Sequence, residues 1–415
     1  MAVIGAGVIG SAVACALARE GHAVLLLDRA EPGIAGASFG NVGHIAAELV
    51  EPLPSPALLF GFWRQLMALG GPLDISLGRV PAMLPWIARF AAAAFRREAN
   101  TRPLAPLVKA SRTTLERWLR EIGRAELLRC NGHYEIWLSE GGAESARAQA
   151  RAMAQLGIPT EPAAADVIES ARRLASARTG AGLLFPESGH VADPLEIVRA
   201  FVSAAVAQGA QVHRADVQAL EAGGDGVRIQ AESRNGPADV SARRVDAAVV
   251  CAGAWSRSLL APFGLNVPMQ AARGYHVEMP GHAALVDAPI LYADQHLLVT
   301  PMSGRVRASS YMEFASPDAP PDPRKPRRLR ETVRSVGYDC PLEGPSWVGP
   351  RPVLPDYLPG IGRVPNSNVF YAIGHQHIGL TLAAVTGDLV ADLVAGRDPR
   401  YEVSAFDLRR FGWRR

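Results

Sequence analysis

Apolar and polar positions along the 415-residue chain fall into a few clear periods. Residues 2–4 are a short apolar run, residues 11–20 carry small apolar side chains at helical spacing up to Gly21, and residues 23–27 are apolar again before Asp28. This reads as strand, helix, strand. Helical spacing returns at 107–122, where Leu115, Trp118, Leu119 and Ile122 share a stripe, and at 143–156 before Gly157. It returns again after Asp193-Pro194, an N-cap followed by a first-turn proline, and runs to residue 208. Strands are expected at 133–138, 211–220 and 227–231, with a turn at 223–226, and a buried strand at 245–251. Residues 273–278, 290–292, 296–300 and 306–311 form a second, antiparallel strand-rich region, followed by a proline- and charge-rich loop at 316–330. Residues 369–373 read as a strand entering a helix at 380–395.

Two stretches fit neither period. Residues 36–44 are dominated by small residues, which suits close backbone approach to a flat ligand or, equally, a surface loop. Residues 55–97 hold Phe60, Phe62, Trp63, Leu66 and Met67, then Met83, Leu84, Trp86, Ile87, Phe90 and Phe95, with Arg64, Arg79, Arg89, Arg96 and Arg97 between them. The first expectation is core-facing helices; the alternative is an interfacial patch touching a membrane or a partner.

Composition narrows the classes. Hydrophobic residues at 48% and charged residues at 20% fit a globular chain of two or three domains. Lys+Arg at 43 against Asp+Glu at 40 builds in no attraction to nucleic acid. The four scattered cysteines show neither metal-ligand spacing nor a disulfide framework, which points to a reducing, cytoplasmic compartment. The N-terminus lacks the basic region of a signal peptide and no long charge-free apolar run is present, so no spanning helix is expected. Peripheral attachment to the inner membrane stays open.

The chemistry is signalled first by Gly5-Ala6-Gly7-Val8-Ile9-Gly10, between the first strand and the first helix, with Asp28 18 residues beyond Gly10. In this setting the pattern indicates a dinucleotide site. Gly5 permits the tight turn, Gly7 admits a pyrophosphate, Gly10 lets helix and strand approach, and Asp28 accepts from a ribose diol. Arg29 hints at a phosphorylated ribose, but the acid before it disfavours NADP. Near the C-terminus, Gly374-His375-Gln376-His377-Ile378-Gly379 presents a second helix N-terminus, suited to negative charge on a bound ring. Its alternating histidines have no carboxylate cluster beside them, so no metal is expected.

Residues 3–28, 38–44, 249–255, Arg273-Gly274-Tyr275, Gly349-Pro350-Arg351-Pro352 with Asp356, and residues 374–381 together resemble the D-amino-acid oxidase/dehydrogenase superfamily of FAD-dependent oxidoreductases. Within it the bacterial D-amino-acid dehydrogenase branch is the nearest look. The resemblance implies an α/β fold: a discontinuous Rossmann-like FAD-binding domain (1–50, 140–270 and 335–415) with an inserted antiparallel α+β substrate domain (51–139 and 271–334). It implies Gly5, Gly7, Val8, Ile9 and Gly10 at the FAD pyrophosphate, Asp28 and Arg29 at the adenosine, and Val217 at the adenine. Ser38, Asn41, Gly43, His44, Gly253, Trp255, Gly274, Gly374 and His377 would lie along the cofactor. Gly379, Leu380 and Thr381 would aim backbone N–H groups at the flavin pyrimidine oxygen.

Arg351 resembles the arginine that clamps a substrate carboxylate, and Tyr292 and His296, read as four apart on one strand and so on one side, resemble pocket walls. Gly349 occupies the position where some relatives attach FAD through cysteine, and Cys340 lies well before it, so FAD is expected to be non-covalent. The implied reaction is hydride transfer from Cα of a D-amino acid to flavin N5, giving an imine without a dedicated general base, with oxygen or a quinone as the final acceptor. Asn41-Val42-Gly43-His44-Ile45-Ala46 and the following Glu51-Pro52-Leu53 resemble enzymes of D-proline or cis-4-hydroxy-D-proline. The alternatives are a glycine or sarcosine oxidase-like amine oxidase and a flavin subunit of a hetero-oligomeric amine dehydrogenase. An NAD-dependent enzyme is disfavoured by residues 374–381, which such folds do not need.

Overall fold

The computed structural model describes the chain except Ser76, Asp225, residues 234–242, Arg414 and Arg415. Strand β1 (Ala2–Ile4) pairs in parallel with β2 (Leu25–Asp28) on one side and with Ala248–Val250 on the other. Gln211–Gly223 adds in parallel beyond β2, and Val369–Ile373 beyond Ala248–Val250. Antiparallel strands close the edges of this eight-stranded sheet. Its inner strands are near-continuous apolar runs because both faces are covered. One face packs against helix α1 (Val8–Arg19) and the helices Arg97–Glu121, Pro194–Ala207 and Gly379–Ala395. The other packs Leu25, Leu27 and Val250 against Leu259, Leu260 and Leu408. Asp193 caps Pro194–Ala207 as its sequence implies, accepting from Leu195 N–H at 3.0 Å.

A second, nine-stranded sheet is built around the antiparallel strands Ser346–Val353, Gln270–Pro280, Arg305–Phe314 and Leu297–Met302. A three-stranded ribbon, β3 (His44–Ile45) with Gly189–Val191 and Leu128–Arg129, completes the β structure among the described residues. The expected division of the chain shifts accordingly. Glu161–Pro162, Ala181–Phe185 and Ser346–Val353 fall in segments assigned to the cofactor half, yet they hydrogen-bond into the second sheet. Strand partners far apart in sequence leave no local mark of which sheet they join.

Other expectations need correction. Residues 245–251 split into Arg243–Val245 and Ala248–Val250, which belong to the same sheet at different places. The loop expected at 316–330 gives way to a helix at Arg324–Ser335, anchored by buried Lys325, which pairs with Asp74 at 2.6 Å and with Glu313. The turn at 223–226 includes Asp225, outside the described residues. The stretch 55–97 forms short helices at Pro56–Phe60 and Phe62–Gln65 and a longer one at Val80–Ala94. Met83 and Trp86 are buried there, but Phe60, Trp63 and Phe95 are 79%, 55% and 69% exposed. The core-facing reading therefore holds only for part of it. Among the described residues no helix is long and apolar enough to cross a membrane, and all four cysteines are free.

The contact of α1 with Gly379–Ala395 is set by Gly387. A Cβ there would stand 2.6 Å from the Trp118 ring and 3.0 Å from the Ala12 carbonyl oxygen. Overpacking such a site costs about 1–3 kcal/mol. Gly387→Ala is expected to lower the denaturation midpoint in a urea titration, whereas Gly141→Ala, with open space at its Cβ, is expected to change stability by no more than about 0.5 kcal/mol.

Candidate active site

Parallel strands end on the same edge of a sheet, and four of them deliver loops to one cavity of about 730 Å³. Gly5 follows β1, Asp28 ends β2, Cys251–Gly253 follow Ala248–Val250, and Gly374 follows Val369–Ile373. The opposite wall is the second sheet, through Leu291, Leu298, Ser309, Tyr311, Trp347 and Arg351. The volume lies within the range of small-molecule and cofactor sites.

The glycine turn is built as a cradle. Gly5 has φ +101, and a Cβ on it would lie 2.5 Å from the Cys251 carbonyl oxygen. A Cβ on Gly10 would lie 1.7 Å from the Gly5 carbonyl oxygen, so any side chain there breaks the turn. Gly7 precedes α1 and has no side chain to cap it; Ser38 Oγ accepts only from Val8 N–H, at 2.9 Å. The helix N-terminus therefore faces the cavity ready for an anion. Asp28 accepts from Ala6 N–H at 2.6 Å and Ala30 N–H at 3.0 Å, while burial pushes its carboxyl above the usual range. Arg29 stacks 3.8 Å from the centre of the Trp255 ring at the same end. A helix start with a glycine at its N-cap, a turn closed to side chains and an acid at the neighbouring strand end together fit FAD.

The other end centres on Arg351. Its guanidinium lies over Gly274 on the neighbouring strand: a Cβ on Gly274 would be 2.1 Å from Nη2. Arg351 Nη1 donates to the Tyr311 carbonyl oxygen at 3.2 Å. No carboxylate among the described residues pairs with it, and desolvation pulls its pKa down. His377 lines the cavity and is exposed to it, its pKa pushed down by the surrounding walls and then by Arg351 and His44. Of the non-glycine residues with positive φ among those described, His296, Tyr311 and Gln376 line this cavity, and Tyr357 stands beside Arg351. Backbone strain of this kind concentrates at functional sites.

Of the residues singled out by sequence, Gly5, Gly7, Val8, Ile9, Asp28, Arg29, Ser38, Asn41, His44, Val217, Gly253, Trp255, His296, Arg351, Gly374, His377, Gly379 and Leu380 line the cavity. Gly10, Gly43, Gly274 and Thr381 stand behind it and shape it. Gly43 has φ +78 and its Cβ position is blocked by the Val191 carbonyl oxygen; Thr381 Oγ1 accepts from Ala46 N–H at 3.1 Å, tying the loop after β3 to the C-terminal helix. Tyr292 is a correction. A helical turn at Ala293–Gln295 separates it from His296, so the two are not on one strand. Tyr292 is fully buried in the core beneath the second sheet, edge-on to Tyr338, while His296 reaches the cavity.

Sequence reasoning missed Trp347 and Arg307. Trp347 stacks on His276 at 5.1 Å and lines the cavity; Gly40 and Gly349 are glycines because a Cβ on either would collide with its ring. Arg307 is buried, pairs with Glu278 at 2.6 Å and donates to the Phe39 and Asn41 carbonyl oxygens, fixing the small-residue loop. Neither sits in a local motif, and the run of small residues at 36–43 was the only trace of the rings packed on it.

The sequence model of the FAD dependent oxidoreductase family, DAO, matches residues 1–393. A D-amino-acid oxidase of Bradyrhizobium diazoefficiens is 31% identical over 99% of this chain and 98% of its own length. A D-amino acid dehydrogenase of Paramagnetospirillum magneticum is 31% identical over the same shares. Among solved structures, glycine oxidase from Geobacillus kaustophilus superposes with a TM-score of 0.76 at 23% identity, covering 99% of this chain and 98% of that one, a likeness of fold. With the family matched over nearly its whole length and the cradle for the cofactor in place, this chain belongs to the DAO family of FAD-dependent oxidoreductases.

Proposed function

We propose that the protein oxidises D-amino acids of the proline type, including cis-4-hydroxy-D-proline, to the corresponding imine, using FAD held non-covalently. The observation that carries this reading is Arg351, a half-buried guanidinium at the cavity wall with no carboxylate partner among the described residues. A substrate carboxylate would supply the missing anion and be gripped by two parallel N–H groups. Gly274 leaves the room that the guanidinium occupies, and the Tyr311 carbonyl holds it in place. The same half-buried cation repels an ammonium, so the substrate amine enters neutral and no protein base is needed to deprotonate it. Bound FAD supplies the acceptor for the two electrons that leave the Cα–N unit.

Asp28 and Asp216 are the only carboxylates among the described cavity-lining residues, and neither belongs to the wall that carries Arg351. That wall offers Leu291, Leu298 and Met312 with the hydroxyls of Ser309 and Ser310, a lining suited to an uncharged side chain or ring. The D-amino-acid relatives support the D configuration. Cys340 is buried beside Arg330 and does not reach the cavity, and Gly349 has no side chain to offer, which supports non-covalent FAD. For the acceptor, the exposed Phe60, Trp63 and Phe95, with Arg64 4.8 Å over the Trp63 ring, favour peripheral contact with an anionic membrane and a quinone within it.

Three outcomes follow. Arg351→Ala is expected to keep its FAD and lose about 2–5 kcal/mol of transition-state stabilisation, roughly 30-fold to several thousandfold in kcat/KM, which steady-state kinetics measures; a near-normal kcat/KM removes the clamp. In anaerobic bleaching of the flavin absorbance, D-proline-type substrates are expected to outpace their L epimers by roughly 100-fold; bleaching by glycine or sarcosine alone would instead favour an amine oxidase. The protein is expected to float with anionic liposomes, and a Phe60→Ser, Trp63→Ser, Phe95→Ser variant is not; absence of flotation combined with efficient use of oxygen defeats the membrane reading.

A further inference from the structure

Behind the cavity wall, three residues far apart in sequence bring ligand-type atoms together. Glu48 Oε1 lies 3.5 Å from His44 Nε2 and 3.6 Å from His133 Nδ1, and one ligand-type atom from each residue falls within 4.8 Å of the other two. His133 is 3% exposed and Glu48 8%, and the His44 side chain is equally enclosed. Among the described residues, His44 Nε2 and both ring nitrogens of His133 have no hydrogen-bond partner. Buried polar atoms rarely stay unpaired, because each costs the desolvation it has undergone.

The spacings discriminate between explanations. A direct imidazole–carboxylate hydrogen bond brings the atoms to about 2.7–3.0 Å. Two ligands of a tetrahedral ion, each about 2.1 Å from it, stand about 3.4 Å apart. The separations on both sides of Glu48 match the second arrangement. The remaining carboxylate oxygen, Oε2, accepts from Ser188 Oγ at 2.5 Å, which orients Glu48 as an outer partner orients a metal ligand. The His133 ring is held by stacking on Phe185 at 5.2 Å, and His44 is held by the pairing of β3 with Gly189–Val191.

We propose that His44, Glu48 and His133 form a binding site for one divalent transition-metal ion of the zinc class, with the fourth position left to water. Two imidazoles and one carboxylate suit such an ion, whereas magnesium and calcium require oxygen ligands. The ion ties the cavity-lining loop at 41–48 to the strand His133–Trp137 of the second sheet, across the boundary between the two halves of the fold. This site is independent of which amino acid the enzyme oxidises.

The test is zinc uptake by the FAD-loaded protein, prepared without a polyhistidine tag. Zinc chloride is titrated in competition with a chromophoric chelator, and bound metal is counted by mass spectrometry after gel filtration. The wild type is expected to hold about one zinc per chain, and Glu48→Gln and His133→Gln to bind at least about tenfold more weakly. His282→Ala, on an exposed turn, is expected to bind like the wild type. Circular dichroism and flavin content show whether each variant is folded, and the wild-type stoichiometry decides the matter even where a variant does not fold. Uptake by the wild type of less than about one tenth of an equivalent, or equal uptake by folded Glu48→Gln and His133→Gln, overturns the site.

Discussion

A guanidinium half-buried in a cavity wall has lost part of its hydration, which an anion or well-placed dipoles must replace. Arg351 has one backbone carbonyl at 3.2 Å and no carboxylate among the described residues. Much around it follows from keeping that group in place. Gly274 must be glycine, because the planar head rests where its side chain would be. The strand Ser346–Val353 carries Arg351 and is bonded both to Gln270–Pro280 and, through Gln376 N–H to the Pro352 carbonyl at 3.0 Å, to the loop after Val369–Ile373. The residues nearest to it accept strained backbone, as at Tyr311, Tyr357 and Gln376. A site that holds one uncompensated charge is preorganised for the opposite charge on a ligand.

The cofactor end obeys a different constraint, that of close approach. Parallel strand pairing places the ends of β1, β2, Ala248–Val250 and Val369–Ile373 on one edge, and glycines after the first and last of these bring bare backbone to the cavity wall. The two ends meet across the loop at 36–44, which is held from the second sheet by Arg307 and packed by Trp347. At Gly40 the Trp347 ring, and at Gly43 the Val191 carbonyl, leave this loop no room for a side chain.

How much of this could be read from the chain depended on the distance over which each feature is encoded. The β1–α1–β2 unit with Asp28, and the capped helix after Asp193, were legible because turn, cap and period lie within a few residues of one another. Glycine turns attached to apolar strands marked Gly5, Gly7 and Gly374 of the cavity lining, while Ser38, Asn41, Val217 and Trp255 were reached only through the family resemblance. Tyr292 was misplaced because a three-residue turn breaks the alternation on which its facing was argued. The helices at 56–95 were expected to face the core, since aromatic side chains on helices usually do, yet no second layer of the fold covers Phe60, Trp63 or Phe95. Trp347, Arg307 and the His44–Glu48–His133 cluster were invisible, because each is assembled by tertiary contacts between segments far apart in sequence.

The claim on which the account rests is that Arg351 lacks an anion because the substrate brings one. The most direct measurement is a crystal structure of the FAD-loaded enzyme with a cyclic carboxylate that has no removable Cα hydrogen, a ligand the enzyme binds and cannot oxidise. The account predicts both carboxylate oxygens on the Arg351 guanidinium at about 2.8 Å, with the ring against Leu291 and Leu298. A carboxylate seated elsewhere in the cavity, with Arg351 left unpaired, would contradict it.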